Sequence, residues 1–133
     1  MIGGRILDSS AILDFGLGRT QYAQAVIWSS LEEGQVVVAP APAVAAALAQ
    51  LPDSRWDAIE VLLGLPITVV TDITRGNLSA LAETLRPAGG RAAYATTAAA
   101  VVLAARQRGW PVLTGEPEPL RSLWSEVRVD PLP

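Results

Sequence analysis

Apolar runs of strand length recur along this chain, and segments with the apolar spacing of helices separate them. The runs are short and rich in β-branched residues, which suits buried strands. We predict five strands, at residues 5–7, 35–38, 67–70, 111–114 and 127–129. Because parallel neighbours need crossover connections, this alternation predicts a three-layer α/β domain with a mainly parallel sheet. At 133 residues, the chain is predicted to form a single domain over residues 1–133.

The intervening segments predict helices on the basis of apolar spacing and end signals. One spans about residues 20–31, with Tyr22, Ala25, Val26 and Ser29 on its apolar stripe and Gly34 as its stop. A second follows Pro42 and runs through Leu51. A third helix is predicted with Asp53 or Ser54 as its N-cap. A fourth is predicted with Asp72 as its N-cap. The last spans roughly residues 91–108 and is apolar almost all round, so it is expected to be buried.

The chain contains no cysteine and no histidine. These absences exclude disulfide scaffolds, thiolate zinc sites, cysteine nucleophiles, Ser-His-Asp triads and histidine acid–base catalysis, because each needs a side chain this protein lacks. Any chemistry must therefore come from carboxylates, hydroxyls, arginines or a bound metal.

The charge balance argues against a general attraction to nucleic acid. Ten basic residues stand against 13 acidic ones, for a net charge of −3, so no global positive field exists, although a local patch remains possible. We expect Arg19, Arg106, Arg108 and Arg121 to be ordinary solvated charges. The four tryptophans are expected to pack in the core or at a subunit interface rather than to stack nucleobases.

Charges near the N-terminus, at Arg5 and Asp8, interrupt the apolar run that a secretory signal needs. The chain is therefore expected to be cytoplasmic. Residues 34–52 carry no formal charge, but Pro40, Pro42 and a high alanine content argue against membrane insertion. We interpret that stretch as a buried strand followed by a helix.

Ligands of open α/β sheets bind outside the carboxyl ends of the strands. This rule selects Asp8, residues 39–46 and the run Thr114–Gly115–Glu116. Asp8 is the strongest candidate, because two hydroxyl residues, Ser9 and Ser10, follow it. The alternative is that Asp8 only caps the following helix. If Asp8 and Glu116 face one another, they could hold Mg²⁺ or Mn²⁺.

Two further acids could contribute to such a site. Asp14 lies six residues beyond Asp8 and could approach from the first helix, or it could serve a capping or solvent-facing role. Asp72 also follows a strand, but the start of a helix directly after it favours capping, and the third strand is expected at a sheet edge.

Residues 6–13, which read ILDSSAIL, resemble the opening of PIN domains of the VapC toxin type, where a strand ends in Asp followed by Ser or Thr. Residues 98–119 look like the buried helix, strand and acidic loop that close that fold, and residues 127–133 look like its terminal strand. The resemblance implies a metal-dependent endoribonuclease with Asp8 and Glu116 as catalytic metal ligands and Ser10 as the matching hydroxyl. We add Thr114 and Asp14 as candidate supporting residues. The resemblance also implies a homodimer and an antitoxin-like protein bound near the acidic edge.

The chain departs from that family at two acidic positions. The family places one carboxylate on the helix after the second strand and another at the start of the long helix, but residues 43–47 and 93–98 contain no acid. Losing two carboxylates removes roughly two negative charges and two ligands from a Mg²⁺ site. Our leading hypothesis is therefore a PIN-like protein with an eroded metal site, retained for binding a partner or RNA, or a decayed toxin. The alternative is an active Mg²⁺-dependent endoribonuclease toxin that has relocated its acids.

Other α/β functions fit the sequence less well. A phosphatase of the haloacid dehalogenase type needs a second acid two residues after the first, where this chain has Ser10. A response-regulator receiver needs a lysine, and all ten basic residues here are arginine. A small-molecule binding module remains open.

Overall fold

A five-stranded parallel sheet forms the centre of the computed structural model, which describes residues 3–133. Residues 1 and 2, part of the N-terminal stretch interpreted above, lie outside the described residues. The strands are β1 Gly4–Leu7, β2 Val36–Pro40, β3 Thr68–Thr71, β4 Val112–Thr114 and β5 Val129–Pro131. They are ordered β3-β2-β1-β4-β5, and every neighbouring pair is parallel. The predicted α/β class and the predicted edge position of the third strand are confirmed.

Helices cover the sheet. They are α1 Ser9–Leu17, α2 Tyr22–Glu33, α3 Ala41–Gln50, α4 Trp56–Gly64, α5 Leu78–Leu85, α6 Thr96–Arg108 and α7 Pro117–Leu123. Three short 3₁₀ segments join them, at Asp53–Arg55, Arg75–Asn77 and Arg86–Tyr94. Helix α1 packs against α2, α3 and α4, and α6 packs against α5 and α7, while α3 also contacts α6. This grouping is consistent with the predicted three layers.

Strand β1 lies at the centre of the sheet, where its close neighbours restrict which side chains it can carry. Ile6 and Leu7 are completely buried, as expected for a parallel strand covered on both faces. At Gly4, a Cβ atom would lie 2.4 Å from the Val36 carbonyl oxygen and 2.6 Å from the Trp110 ring. Only glycine allows β2 and Trp110 to approach β1 this closely.

Helix α6 is buried on nearly all sides, as its composition predicts. Its seven consecutive residues 99–105 are all buried, and four of them are alanines, which allow close packing. Arg106 and Arg108 occupy the last turn, where they complement the helix dipole, and Gly109 ends the helix at φ 69°. The predicted start at residue 91 is wrong. A 3₁₀ segment with a kink at Gly89, at φ 56°, precedes the helix, which begins only at Thr96.

The predicted apolar stripe of α2 is also wrong, by about one residue. The buried residues are Ala23, Ile27 and Ser30, and Tyr22 is exposed. Ser30 lies on the same face as Ala23 and Ile27, and its buried hydroxyl is satisfied because it donates to the Val26 carbonyl oxygen at 2.9 Å within the same helix. The predicted stop at Gly34 is confirmed, with φ 68°.

Neither predicted cap of the middle helices is observed. Thr74, not Asp72, begins the turn that precedes α5, and the Thr74 N–H donates to Asn77 Oδ1 at 2.8 Å in a reciprocal capping box. Asp53 and Ser54 lie inside a 3₁₀ turn, and α4 has no side-chain cap. Both differences arise because the chain makes a 3₁₀ turn before each helix.

Residues 34–52 contain β2 and α3, as predicted. Over residues 3–133, none of the helices combines the length and the apolar character needed to cross a membrane.

Candidate functional site

The carboxyl ends of β1 and β4 bring the main candidate residues together. The two strands are parallel neighbours, with Leu7 in register with Leu113. Asp8 therefore follows β1 beside Thr114, the last residue of β4. Ser10 lies in the first turn of α1, and Gly115 and Glu116 form the loop into α7.

Asp8 uses both carboxylate oxygens in hydrogen bonds to the protein. It is the N-cap of α1, and its Oδ1 accepts from the Ser9 N–H at 2.8 Å. Its Oδ2 accepts from the Thr114 hydroxyl at 2.7 Å. The residue is only 6% exposed. The capping alternative for Asp8 is thus observed, together with a link from the first strand to the fourth.

The hydroxyls of Thr114 and Ser10 extend this network to the loop after β4. Thr114 is completely buried, and its Oγ1 accepts from the Glu116 N–H at 2.9 Å while donating to Asp8. The Ser10 Oγ accepts from the Gly115 N–H at 3.0 Å and lies 3.3 Å from Thr114 Oγ1. Ser10 and Thr114 therefore position the acidic loop through its backbone.

Glu116 and Asp14 lie at the same edge of the sheet, but their side chains differ in their hydrogen-bond partners. Glu116 is exposed, and within residues 3–133 its carboxylate makes neither a hydrogen bond nor an ion pair. Asp14 accepts from the Thr20 hydroxyl at 2.9 Å and from the Ala23 N–H at 3.3 Å. Asp14 therefore has the capping role that the sequence left open, at the junction of α1 and α2.

A groove of about 290 Å³ opens beside this network, and we call it the strand-end groove. It is lined by Ser9, Ser10, Leu13, Asp14, Leu17, Arg19, Gln50, Gly115, Glu116, Leu132 and Pro133. Its charged side chains are two acids and one arginine. Sequence reasoning missed Gln50 and Leu132, because only the folded chain brings α3 and the C-terminal residues to this edge.

The residues of this edge do not fit a Mg²⁺ or Mn²⁺ centre. No cluster of three or more potential metal-ligating side chains occurs in the described residues 3–133. At the two positions where the resemblance implies further acids, the chain supplies alanines, threonines and a tyrosine. Hard divalent cations need several oxygen ligands, and Glu116 alone faces outward without a partner.

Two tryptophans pack inside the fold, and two are largely exposed. Trp110 covers Gly4, and Arg108 lies 5.4 Å from its ring centroid, while Arg106 lies 5.3 Å from that of Trp124. Trp28 and Trp56 are nearly half exposed. Arg106 and Arg108 are exposed, as expected of solvated charges, and each also lies over an aromatic ring. Arg106 pairs with a residue of another element, so sequence spacing gave no signal for that contact.

No model of a known protein family matches the chain, and no curated protein matches it.

Proposed function

We propose that this protein is a PIN-like domain of the VapC type that binds a protein partner in the strand-end groove and does not cleave RNA. The observation that carries the proposal is that residues 3–133 bring together no group of three or more side chains that could ligate a metal. Asp8 and Glu116 alone supply too few oxygen ligands for a tightly bound hard divalent cation, and the hydrogen bonds of Asp8 to Ser9 and Thr114 give it a role in the fold.

The lining of the groove favours a protein ligand over RNA. Glu116 and Asp14 place negative charge beside a single arginine, Arg19, which disfavours a phosphate backbone. Leu13 and Leu132 add apolar surface to the same groove. A segment that presents a basic side chain next to an apolar one complements both features. An antitoxin-like protein with such a segment is the partner we propose.

The metal side of the proposal is tested by calorimetric titration of Mn²⁺ and Mg²⁺ into the wild type and the Asp8→Asn variant. We expect no stoichiometric binding to either protein, and a lower midpoint of urea unfolding for the variant without any metal. The lower midpoint follows from weakened hydrogen bonds to Ser9 and Thr114. Metal binding and RNA cleavage by the wild type, both lost in the variant, would establish the endoribonuclease instead.

The binding side is tested with an array of short peptides that combine arginine or lysine with leucine, probed with the purified protein. We expect bound peptides to lose about tenfold in affinity for Glu116→Gln, because the groove loses its outward-facing carboxylate. Glu126→Gln is the matched control, since Glu126 is an exposed acid outside the groove. Tight binding of a single-stranded RNA, with no basic peptide bound, contradicts a protein ligand.

A further inference from the structure

A second groove lies where the 3₁₀ segment Arg86–Tyr94 and the start of α6 meet α7, and we call it the Tyr94 groove. Its volume is about 330 Å³, and it shares no lining residue with the strand-end groove. Most of its wall is apolar, supplied by alanines of the 3₁₀ segment and of α6 and by Pro87, Pro119 and Leu123. The two prolines stiffen this wall, because each pyrrolidine ring fixes its own φ angle. A stiff surface loses little conformational entropy when a partner binds to it.

Arg91 and Tyr94 are exposed at this groove. Within residues 3–133, neither side chain makes a hydrogen bond or an ion pair. Tyr94 is 86% exposed, whereas the other exposed large apolar side chains of the described chain are 39–53% exposed. Among the described residues, Arg91 is the one charged residue that lines the groove. Tyrosine and arginine are the residue types that most often dominate the binding energy of an interface.

The local charge at this groove is positive. Two charged residues next to it in sequence are already paired. Arg86 lies 3.1 Å from the Glu83 carboxylate. Glu118 lies 3.2 Å from the Arg121 guanidinium. These charges offset one another, so Arg91 sets the sign, and an acidic group is the complement of this groove.

The geometry of the groove favours a protein segment as its occupant. A nucleic acid strand makes several phosphate contacts in a row, and the groove offers one cation. Small-molecule sites bury most of their ligand, whereas a ring as exposed as Tyr94 would enclose little of one. A protein segment can cover the ring and contribute apolar contacts of its own.

We propose that the Tyr94 groove binds a short acidic segment of a protein partner. An aspartate or glutamate of the segment pairs with Arg91, and an adjacent aromatic side chain packs on Tyr94 and Pro119. A bidentate pair of arginine and carboxylate fixes the orientation of the segment, while the packed rings bury apolar area. Binding here is independent of the strand-end groove, whose proposed ligand is basic.

A peptide array tests the pairing of acid and ring. It contains short peptides with Asp or Glu beside Phe, Tyr or Trp, and a matched set in which Lys or Arg replaces the acid. We expect the purified protein to bind peptides of the first set, and Arg91→Gln and Tyr94→Ala each to weaken that binding about tenfold. Arg75→Gln and Tyr22→Ala are the matched controls, because Arg75 is an exposed arginine of another 3₁₀ segment and Tyr22 is an exposed tyrosine outside the groove. Both controls are expected to bind like the wild type.

Charge reversal and NMR locate the contact. We expect Arg91→Glu to weaken binding of the acidic peptides by more than about tenfold, whereas Glu116→Gln leaves it unchanged. In the wild type, the backbone amide signals of Ala95, Ala98 and Ser122 are expected to shift on titration with a bound peptide. Because Arg91 is exposed, its variants are expected to keep the urea midpoint of the wild type, which separates lost binding from lost folding.

Three results overturn the proposal. The first is an array in which no acidic peptide binds, or in which Arg91→Gln does not weaken the binding. The second is a set of NMR shifts centred on Ser10 and Gly115, because those shifts would place the peptide in the strand-end groove. The third is binding of AMP or a single-stranded RNA that is lost in Arg91→Gln while no acidic peptide binds, which would assign the groove to a phosphate ligand.

Discussion

The buried hydroxyl of Thr114 forms hydrogen bonds with both the Asp8 carboxylate and the Glu116 backbone N–H. It donates to the Asp8 carboxylate at 2.7 Å and accepts from the Glu116 N–H at 2.9 Å. Replacing it with the isosteric valine keeps the volume of the side chain but removes both interactions. We expect Thr114→Val to lower the free energy of unfolding by about 1–3 kcal/mol, measured by urea denaturation, because a buried charge loses a donor.

Thr96→Val provides the control for this change, since Thr96 is exposed at the start of α6. That variant is expected to stay within about 0.5 kcal/mol of the wild type. If Thr114→Val is no less stable than Thr96→Val, the hydrogen bonds around Asp8 do not contribute to the stability of the fold.

At the scale of elements, the packing of β1 against β2 and Trp110 is the least tolerant of change. A Cβ at Gly4 would lie 2.4 Å from a backbone oxygen, and a backbone oxygen cannot move aside as a flexible side chain can. We expect Gly4→Ala to cost about 3 kcal/mol in unfolding free energy or to prevent folding. The neighbouring Gly3 is the matched control, because a Cβ there would meet only the Gln35 side chain at 3.7 Å. Similar stabilities of the two alanine variants would show that β1 and β2 can separate.

Strand positions and the starts of α2 and α3 could be predicted from sequence to within about two residues, whereas the starts of α5 and α6 could not. Buried parallel strands are continuous apolar runs, and that signal is local. The start of α6 depends instead on where the preceding 3₁₀ segment Arg86–Tyr94, with its kink at Gly89, comes to an end. No local apolar run marks that point. The buried stripe of α2 was misplaced because its sequence offers apolar residues on more than one face, and Ser30 is a polar residue on the face that is buried.

For the molecule as a whole, the buried apolar residues form one continuous cluster that includes residues of β1, β2, β4 and both groups of helices. We therefore expect a single cooperative unfolding transition, in which far-UV circular dichroism and tryptophan fluorescence change together. Trp110 and Trp124 pack against the cluster and report its loss. Two separated transitions would contradict the prediction of one domain over the chain.

The candidate site was predictable in its location but not in its bonding. The rule for parallel sheets placed Asp8, Thr114 and Glu116 at one edge, and the structure brings their elements there. The sequence left open whether Asp8 faces a ligand or caps a helix, because both roles begin with an acid after a strand. The folded chain shows the cap through the Ser9 N–H and adds a hydrogen bond from Thr114, 106 residues away in sequence, which no local pattern indicates.

The two hydrogen bonds of Asp8 also bear on which residues are retained as such a protein evolves. A carboxylate that joins two strands and starts a helix is costly to lose, so selection for folding alone would keep it after any chemistry had gone. Conservation of this aspartate would then reflect its contribution to the stability of the fold. An aspartate at the end of the first strand is therefore not by itself a sign of nuclease activity.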